Sequence, residues 1–283
     1  MDAFLFILKS MLIGVVEGIT EFLPISSTGH MIIVQNVIGF KSETPSYVEM
    51  YTYVIQLGAI LAIVVLYFNK IWGTVVNLVP KKGQVKESGF YFWFVIVMAC
   101  LPGAVIEIGL GDLMDKYFFN PYSVAITLFV GALFMIYMEN RHRNKNAEVR
   151  DWKVDIRQAL IIGCFQCLAI IPGMSRSAST IIGGWVAGLS TVAAAEFSFF
   201  LAIPVMMGMS ALKILKIGGF GMLTGLELGS LAVGFVVSFV VAILVVKSFI
   251  GYLKQKPMRV FAYYRMIFAV IVILAGFAGV FKL

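Results

Sequence analysis

The stretch EFLPISSTGH, residues 21–30, places a carboxylate, three hydroxyl side chains and a histidine beside a proline, within an apolar segment. Glu17 precedes Glu21 by four residues, so on a helix the two carboxylates share a face and repel each other. Inside a membrane the cost is larger, unless a proton or a cation compensates the charges. The spacing therefore predicts an acid/base pair or a metal-binding pair. The alternative is a helix that begins at the outer interface and keeps both glutamates in water.

Ser27 and His30 are the candidates for nucleophilic chemistry. A serine hydroxyl needs a base within hydrogen-bond reach to attack phosphorus, and a histidine can also attack directly. Three residues apart, the two side chains could face each other across one helical turn. Ser26 and Thr28 join them as candidates for substrate binding. The structural alternative is that serines following Pro24 cap the next helix.

A second polar stretch, PGMSRS at residues 172–177, also interrupts an apolar segment. The planar guanidinium of Arg176 suits bidentate binding of phosphate. Ser175 and Ser177 flank it, and Gly173 allows the backbone to approach an anion closely, so the stretch predicts an anion-binding cradle. The alternative is that the arginine only neutralises a carboxylate of the first stretch, and both interpretations bring the two stretches into contact.

The composition indicates what surrounds these stretches. The 283 residues are 60% hydrophobic and have a mean hydropathy of +0.96, well above a soluble domain, and several apolar windows are long enough to cross about 30 Å of hydrocarbon. The net charge of +7 comes from basic residues concentrated in loops, which argues for membrane topology and against a nucleic-acid partner. Cys100, Cys164 and Cys167 lie in apolar segments, which argues against a disulfide framework.

Topology follows from the positive-inside rule. Three loops rich in Lys and Arg are predicted to be cytoplasmic: 69–89, 141–157 and 247–259. Three loops that carry acidic residues are predicted to face outward: 41–49, 112–116 and 216–227. Three apolar segments separate the last two basic loops, so one segment must enter and return on the same side. Segment 158–189 is long enough for two half-helices and has Pro172 and Gly173 near its middle, and such a break is tolerated where protein or a wet cavity surrounds it.

The first forty residues repeat this pattern, with Glu17 and Ser26 loosely aligned with Gln166 and Ser175. Two units with an odd number of spans each must be inverted in the membrane. We therefore predict an all-α polytopic membrane protein, a single domain over 1–283, with six transmembrane helices, two re-entrant helical hairpins and both termini outside. The repeats would cover roughly 1–140 and 157–283. Inverted hairpin tips would meet near the bilayer middle and direct helix N-termini at an anion.

Residues 17–30, EGITEFLPISSTGH, and 172–177, PGMSRS, closely resemble the two signature stretches of the undecaprenyl-diphosphate phosphatase family of the bacitracin-resistance type. The resemblance extends along essentially the whole chain, including EFSF at 196–199 and the pair Tyr264-Arg265. It implies hydrolysis of undecaprenyl diphosphate to undecaprenyl phosphate and inorganic phosphate, which recycles the lipid carrier of cell-wall synthesis. It also implies a bacterial plasma-membrane enzyme with an active site open to the outer face and supported by a divalent cation, usually Mg²⁺.

Carried onto matching positions, the resemblance gives Glu17 and Glu21 the acid/base or metal role and makes Ser27 the nucleophile. His30 would be the catalytic partner of this serine, and Arg176 the phosphate clamp. The predicted substrate-binding set is Ser26, Thr28, Gln166, Gly173, Ser175 and Ser177. Long basic side chains near the end of a span snorkel to the membrane surface, which is the position expected for Arg265.

A carrier is the competing function. Inverted repeats with broken helices at the midplane are typical of alternating-access transporters, so the polar tips could bind a lipid phosphate without cleaving it, and fold alone does not separate the two functions. Two carboxylates, a serine, a histidine and an arginine are more reactive groups than binding requires, which favours the enzyme. The expected partners are a polyprenyl diphosphate and membrane lipids, and the glycine-rich segment 218–229 permits close packing in a homodimer.

Overall fold

The structure of the protein, a computed structural model, describes residues 3–81, 84–143 and 154–280, and the regular elements of these residues are all helical. The α-helices are α1 (Ala3–Thr20), α2 (Ser27–Ile38), α3 (Tyr47–Val54), α4 (Gln56–Leu66), α5 (Phe68–Val76), α6 (Gly89–Phe118), α7 (Pro121–His142), α8 (Ile156–Gln166), α9 (Arg176–Val186), α10 (Thr191–Lys216), α11 (Gly225–Leu253) and α12 (Arg259–Phe277).

Seven helical segments among the described residues are long and apolar enough to cross a membrane: α1, α3 with α4, α6, α7, α10, α11 and α12. The prediction of an all-α polytopic membrane protein is confirmed. The six predicted transmembrane helices are all among the seven, and α1 was predicted as the leading arm of a hairpin. Residues 144–153 of the predicted basic loop and both chain termini lie outside the described residues.

Local signals in the sequence set where several helices begin. Pro121 occupies the first turn of α7, where its missing N–H costs nothing, and the Asn120 side chain accepts a hydrogen bond from that turn. Asp155 and Gln158 form a reciprocal capping box at the start of α8, which satisfies two of the N–H groups that a helix start leaves unpaired.

Both predicted hairpins fold back on themselves. In the first, the ring of Phe6 at the start of α1 stacks on Phe40 just after α2, with centroids 4.9 Å apart, and Lys9 Nζ donates to the Gly39 carbonyl at 3.0 Å. In the second, Gln158 Nε2 in the first turn of α8 donates to the carbonyl of Ala187, just after α9, at 3.0 Å. Each chain segment thus returns close to the point where it entered.

Small residues bring the hairpins close to the long helices. Helix α1 packs on α11, and α8 packs on α6. A Cβ added at Gly14 of α1 would lie 2.6 Å from the Gly234 carbonyl oxygen, and a Cβ added at Gly163 of α8 would lie 2.4 Å from the Ala99 carbonyl oxygen. Such close backbone approach is typical of helices packed within a membrane.

Two ion pairs join the helical stretch α3–α5 to α10. Lys213 Nζ lies 2.6 Å from Glu49 at one end, and Lys70 Nζ lies 2.8 Å from Glu196 at the other. In both pairs the lysine also lies over the aromatic ring four residues after the glutamate, 4.8 Å and 5.2 Å from the centroid. Paired features of this kind are what an inverted repeat would produce; the repeat itself, with its units 1–140 and 157–283, stays a prediction.

The regions predicted to face outward lie together. Ser42 donates a hydrogen bond to Glu227, and Lys216 forms an ion pair with Asp112, so the chain near 41–49, 112–116 and 216–227 gathers at one end of the helices. This grouping is the one that the basic-residue pattern requires. Which end faces the cytoplasm stays a prediction.

Several loop boundaries were wrong. The basic loop predicted to begin at Asn69 begins only after α5, which ends at Val76. The loops predicted over 41–49 and 216–227 end earlier, because α3 begins at Tyr47 and α11 at Gly225.

Residues 112–116 were predicted as a loop, but they form part of the last turns of α6, which continues to Phe118. The basic loop predicted to begin at Lys247 begins later, because α11 continues to Leu253. Charged residues end an apolar run without ending a helix; α6 and α11 stop only shortly before Asn120-Pro121 and Pro257, where proline disfavours further helix.

The packing of α4 on α11 gives a testable prediction. A Cβ at Gly58 would lie 2.3 Å from the Phe235 carbonyl oxygen, whereas a Cβ at Gly73 of α5 meets nothing within 4 Å. We expect Gly58→Ala to force the two helices apart and to cost about 1–3 kcal/mol of stability, seen as a lower thermal unfolding midpoint in detergent. Gly73→Ala is the matched control and should keep or slightly raise the midpoint; equal midpoints for both variants would contradict the packing.

Candidate active site

A serine with a positive φ begins the second arm of each hairpin. Ser26 has φ 72° and its Oγ accepts from Gly29 N at 3.3 Å, which caps α2. Ser175 also has φ 72° and its Oγ accepts from Ala178 N at 3.2 Å, which caps α9. The capping role offered as the structural alternative for Ser26 is therefore present, and Ser175 shares it. Positive φ is costly for a residue with a side chain, and such strain is often found at functional sites.

The two hairpin tips meet at Glu21. Its Oε1 forms an ion pair with Arg176 Nη2, and its Oε2 accepts from Ser27 Oγ at 2.5 Å. Ser177 Oγ adds a second contact between the hairpins, donating to the Leu23 carbonyl at 2.9 Å. One buried carboxylate thus holds the predicted nucleophile and the predicted phosphate clamp at the same point.

Glu17 lies one turn before Glu21, connected by the hydrogen bond from Glu21 N to the Glu17 carbonyl at 2.9 Å. Its side chain is fully buried, and neither carboxylate oxygen meets a hydrogen-bond donor among the described residues, although the Glu21 carboxylate lies close enough for the two to share a proton. The charged groups acting on it are Glu21 and Arg176. Two carboxylates therefore share one nearby cation, which leaves negative charge for a proton or a second cation to compensate.

The carboxylates of Glu17 and Glu21 could bind the predicted divalent cation only together with other ligands. The described residues contain no group of three or more His, Cys, Asp or Glu side chains that could hold a metal ion. Mg²⁺, however, is usually bound by one or two carboxylates together with water and substrate phosphates. The oxygens of Glu17 are hard ligands of this type, whereas both oxygens of Glu21 already have partners, Arg176 and Ser27. The pair could therefore hold Mg²⁺ only if Glu21 gave up one of these contacts.

His30 does not face Ser27. Its Nδ1 lies 2.8 Å from the Ser26 carbonyl oxygen, and its Nε2 lies 2.9 Å from the Tyr264 hydroxyl. The ring stacks on Phe268, with centroids 4.3 Å apart. The expectation that Ser27 and His30 face each other across a helical turn was therefore wrong, because the histidine ring turns toward α12 while the serine hydroxyl turns toward Glu21.

A cavity of about 350 Å³ opens beside the hairpin tips. Eight of the predicted site residues line it: Glu21, Ser26, Ser27, Thr28, Gln166, Gly173, Ser175 and Arg176. Glu17, His30 and Ser177 are not in its lining, but each lies next to a residue that is. Glu17 precedes Glu21 by one turn, His30 Nδ1 contacts the Ser26 carbonyl, and Ser177 Oγ lies 3.2 Å from Ser175 Oγ. The hairpins thus contribute hydroxyl groups, a carboxylate and a guanidinium to one face of the cavity.

The cavity continues as an apolar groove between α6 and α10. Its lining residues on these helices include Val97, Ala104, Ile108, Val205, Met209 and Leu212. Each helix carries an internal proline, Pro102 and Pro204. The groove runs toward the end of the molecule where Lys216 pairs with Asp112, so the polar site connects to the region predicted to face outward.

Sequence reasoning missed three polar groups of the cavity: Tyr53, Gln56 and Glu107, whose carboxylate on α6 also lines it. Gln56 Nε2 lies 3.4 Å from Thr28 Oγ1, and Tyr53 lines the wall next to it. The signal was a polar residue in the middle of a predicted span, a position that is expensive and usually functional. Ser198, whose carbonyl accepts from Arg176 Nη1 at 3.1 Å, is also absent from the predicted set.

Arg265 was expected at the cytoplasmic surface, and this was wrong. Its side chain is fully buried, and Nη2 donates to the carbonyl oxygens of Gly173 at 2.9 Å and Met174 at 3.3 Å. Position near the end of a span suggested snorkelling, but α12 packs against α7 and turns this residue toward the second hairpin instead of toward water.

Apolar helices enclose an arginine, several hydroxyl groups and two helix N-termini where two helical hairpins meet, which is the construction of an integral membrane protein with a buried site suited to an anion. A family model described as bacitracin resistance protein BacA matches residues 10–271. The chain belongs to this family.

Relatives along the full length carry a more specific name. "Undecaprenyl-diphosphatase" of Ruminiclostridium cellulolyticum is 62% identical over 281 residues, 99% of this chain and 100% of the relative. Proteins of the same name from Clostridium tetani and Clostridium novyi are 49% and 50% identical, over 96% and 100% of this chain and 98% and 100% of theirs.

The strained caps give a prediction that is independent of activity. In Ser175→Ala the cap hydroxyl is lost and the positive φ remains, whereas in Ser175→Gly the cap is lost but the backbone strain is relieved. We expect the alanine variant to be less stable than the glycine variant by about 1 kcal/mol in the free energy of unfolding, and therefore to unfold at a lower temperature. Thermal melts in detergent measure this. At Ser123, an α7 residue without positive φ, glycine should be the less stable of the two substitutions.

Proposed function

We propose that the protein hydrolyses undecaprenyl diphosphate to undecaprenyl phosphate and inorganic phosphate. The observation that carries this proposal is the hydrogen bond from Ser27 Oγ to Glu21, in a cavity that Arg176 also lines. The family and the name of the full-length relatives support the substrate. The reaction would return the lipid carrier to cell-wall synthesis in the bacterial plasma membrane.

The diphosphate would bind where the two hairpins meet. The guanidinium of Arg176 provides a charge-assisted donor, and the N-termini of α2 and α9 present N–H groups and positive helix ends. Thr28, Gln166 and Gly173 line the same cavity and would contact the phosphates, while Ser177 would act indirectly by holding the two tips together.

Phosphoryl transfer needs positioning and charge stabilisation more than covalent chemistry from the protein. Ser27 Oγ attacks the terminal phosphorus, and its proton passes to Glu21, which already accepts its hydrogen bond at 2.5 Å. A bond forms between Ser27 Oγ and phosphorus while the bond to the bridging oxygen breaks, and undecaprenyl phosphate leaves. Arg176 offsets the charge on the transferred group.

Water then hydrolyses the phosphoserine, with Glu21 returning the proton to Ser27 Oγ, and inorganic phosphate leaves. Direct attack by His30 and attack by an activated water are the competing mechanisms. Because both ring nitrogens of His30 have partners, Ser26 and Tyr264, the geometry supports a role for His30 in fixing the start of α2, next to the nucleophile.

Glu17 and Glu21 would hold a divalent cation, most simply Mg²⁺, through their carboxylate oxygens. When bound, such an ion neutralises phosphate charge and polarises the phosphoryl oxygens. The fully buried carboxylate of Glu17, which meets no hydrogen-bond donor among the described residues, supports this assignment, because a buried carboxylate without a donor needs a proton or a cation.

The prenyl tail would lie in the groove between α6 and α10. Its walls are mostly apolar, with Glu107 of α6 also in the lining, and both helices present large hydrophobic side chains to the surrounding lipid. The groove leads from the hairpin tips toward the end of the molecule that is predicted to face outward, which supports an active site accessible from the outer membrane face.

The first experiment measures phosphate release from a long-chain prenyl diphosphate by purified protein in detergent, with and without Mg²⁺. We expect Ser27→Ala, Glu21→Gln and Arg176→Ala to lose about 100-fold or more in kcat, because each removes a nucleophile, a base or a charge-stabilising donor. His30→Ala should lose less. Arg157→Ala, an exposed arginine at the start of α8, is the matched control and should keep full activity.

A folded wild-type protein that releases no phosphate, while labelled undecaprenyl phosphate crosses the bilayer in proteoliposomes, would rule out the phosphatase and leave a carrier. Full activity of Ser27→Ala together with inactive His30→Ala would keep the phosphatase and assign the attack to the histidine.

The groove predicts a chain-length effect. Ala104→Trp places a large ring in the groove, so we expect KM for a C55 prenyl diphosphate to rise about tenfold or more, since the tail loses apolar contact, with little change for a short prenyl diphosphate. Ile126→Trp, on an exposed face of α7, is the control. Equal effects of Ala104→Trp on long and short substrates would place the tail elsewhere.

A further inference from the structure

Arg265 is a buried guanidinium that the reaction does not use directly. Its donors reach the carbonyl oxygens of Gly173 and Met174, whereas Nε and Nη1 have no hydrogen-bond partner among the described residues. The ion pairs found in the described part of the chain do not include it. Burial of a cation without a paired anion is expensive, so packing alone does not explain an arginine here.

Helix α7 leaves room for this guanidinium at Gly131. A Cβ at this position would lie 2.2 Å from Arg265 Nη2 and 3.3 Å from Met174 Sδ. Any larger residue would push the guanidinium off the hairpin turn. Gly131, Arg265 and Met174 therefore form one packing unit beneath the second hairpin.

The two carbonyl contacts fix the peptide groups just before Ser175. Gly173 has φ +98°, a conformation that glycine adopts at little cost. Thr127 Oγ1 donates to the Pro172 carbonyl at 2.5 Å and so holds the start of this turn, whereas Arg265 holds its end. The described residues have no cis peptide bond, and in a trans peptide the N–H points opposite to the C=O. With the Met174 carbonyl held toward Arg265, the Ser175 N–H points away from it. Ser175 and the next residue, Arg176, line the cavity.

The preceding residue of α12 holds the other hairpin. The Tyr264 hydroxyl lies 2.9 Å from His30 Nε2, and His30 Nδ1 in turn lies 2.8 Å from the carbonyl oxygen of Ser26, the cap of α2. Two consecutive residues of one helix therefore reach the two tips: Tyr264 through His30, and Arg265 through the turn before Ser175.

We propose that Arg265 is a positioning residue, which orients the Gly173-Met174 peptide groups so that the Ser175 N–H and the Arg176 guanidinium face a phosphate in the cavity. Together with Tyr264 it sets the separation of the two half-sites, so that α12 acts as a brace between them. The proposal rests on the proposed function insofar as the anion is a substrate diphosphate.

The test uses full-length protein in detergent and the variants Arg265→Met, Arg265→Lys and Gly131→Ala. Gly251→Ala, a helical glycine with nothing within 4 Å of an added Cβ, is the control. Three quantities are measured: kcat and KM for a long-chain prenyl diphosphate, the Kd of inorganic pyrophosphate, and the thermal unfolding midpoint.

We expect kcat of Arg265→Met to fall about 10- to 100-fold, because misplaced donors stabilise the transition state less well. The change in KM should be smaller, and pyrophosphate should bind about tenfold more weakly. Its unfolding midpoint should stay equal or rise, because an unpaired buried charge is replaced by an apolar side chain. Arg265→Lys, which keeps the charge without the fork, should recover part of the activity. Gly131→Ala should lower kcat in the same direction, and Gly251→Ala should match wild type.

Wild-type kcat and pyrophosphate affinity in a folded Arg265→Met with a lowered midpoint would overturn the proposal and leave a structural arginine. If that variant does not fold, unchanged kcat and pyrophosphate affinity in Gly131→Ala and Arg265→Lys overturn it equally. A wild-type protein that binds pyrophosphate without hydrolysing the prenyl diphosphate would refute only the proposed function. The pyrophosphate affinities of the variants would then show whether Arg265 is a positioning residue.

Discussion

The buried ion pair between Glu21 and Arg176 is the interaction on which the rest of the site depends. Each residue ends one hairpin arm or begins another, and neither charge could remain at this depth without the other, because an isolated charge away from water is prohibitively expensive. The pair therefore forces the two hairpins into contact. Once they touch, the hydroxyl of Ser27 lies against the same carboxylate, and the helix N-termini of α2 and α9 begin beside it.

A phosphate entering this site competes for the guanidinium that Glu21 holds. As Arg176 shares its charge with the phosphate, Glu21 would keep the Ser27 hydroxyl as its other partner. Binding of the substrate would thus leave the carboxylate in contact with the proposed nucleophile. Glu17, buried beside Glu21 without a hydrogen-bond donor among the described residues, makes the local charge balance still more dependent on what the cavity contains.

The sequence predicted the polar tips well because their physics is local. A carboxylate pair at helical spacing, a Pro-Gly break and an arginine inside an apolar run are each costly in a membrane, and each cost indicates a compensating partner.

The same reasoning failed for Arg265 and for the pairing of Ser27 with His30. Both depend on the direction in which α12 presents its side chains, which comes from packing against α7 and has no signature in spacing. The groove between α6 and α10 was beyond prediction for the same reason, since apolar helix faces look alike whether they meet lipid, another helix or a prenyl chain.

The buried, unpaired guanidinium of Arg265 shows how stability and function oppose each other in this fold. The Glu21–Arg176 ion pair joins the two hairpin tips, and it is the contact that an entering phosphate would weaken. A separate restraint is needed to keep the half-sites in register during that step. Helix α12 satisfies this need through Tyr264 and Arg265, which hold His30 and the turn before Ser175 from outside the cavity, where an entering phosphate does not compete with them.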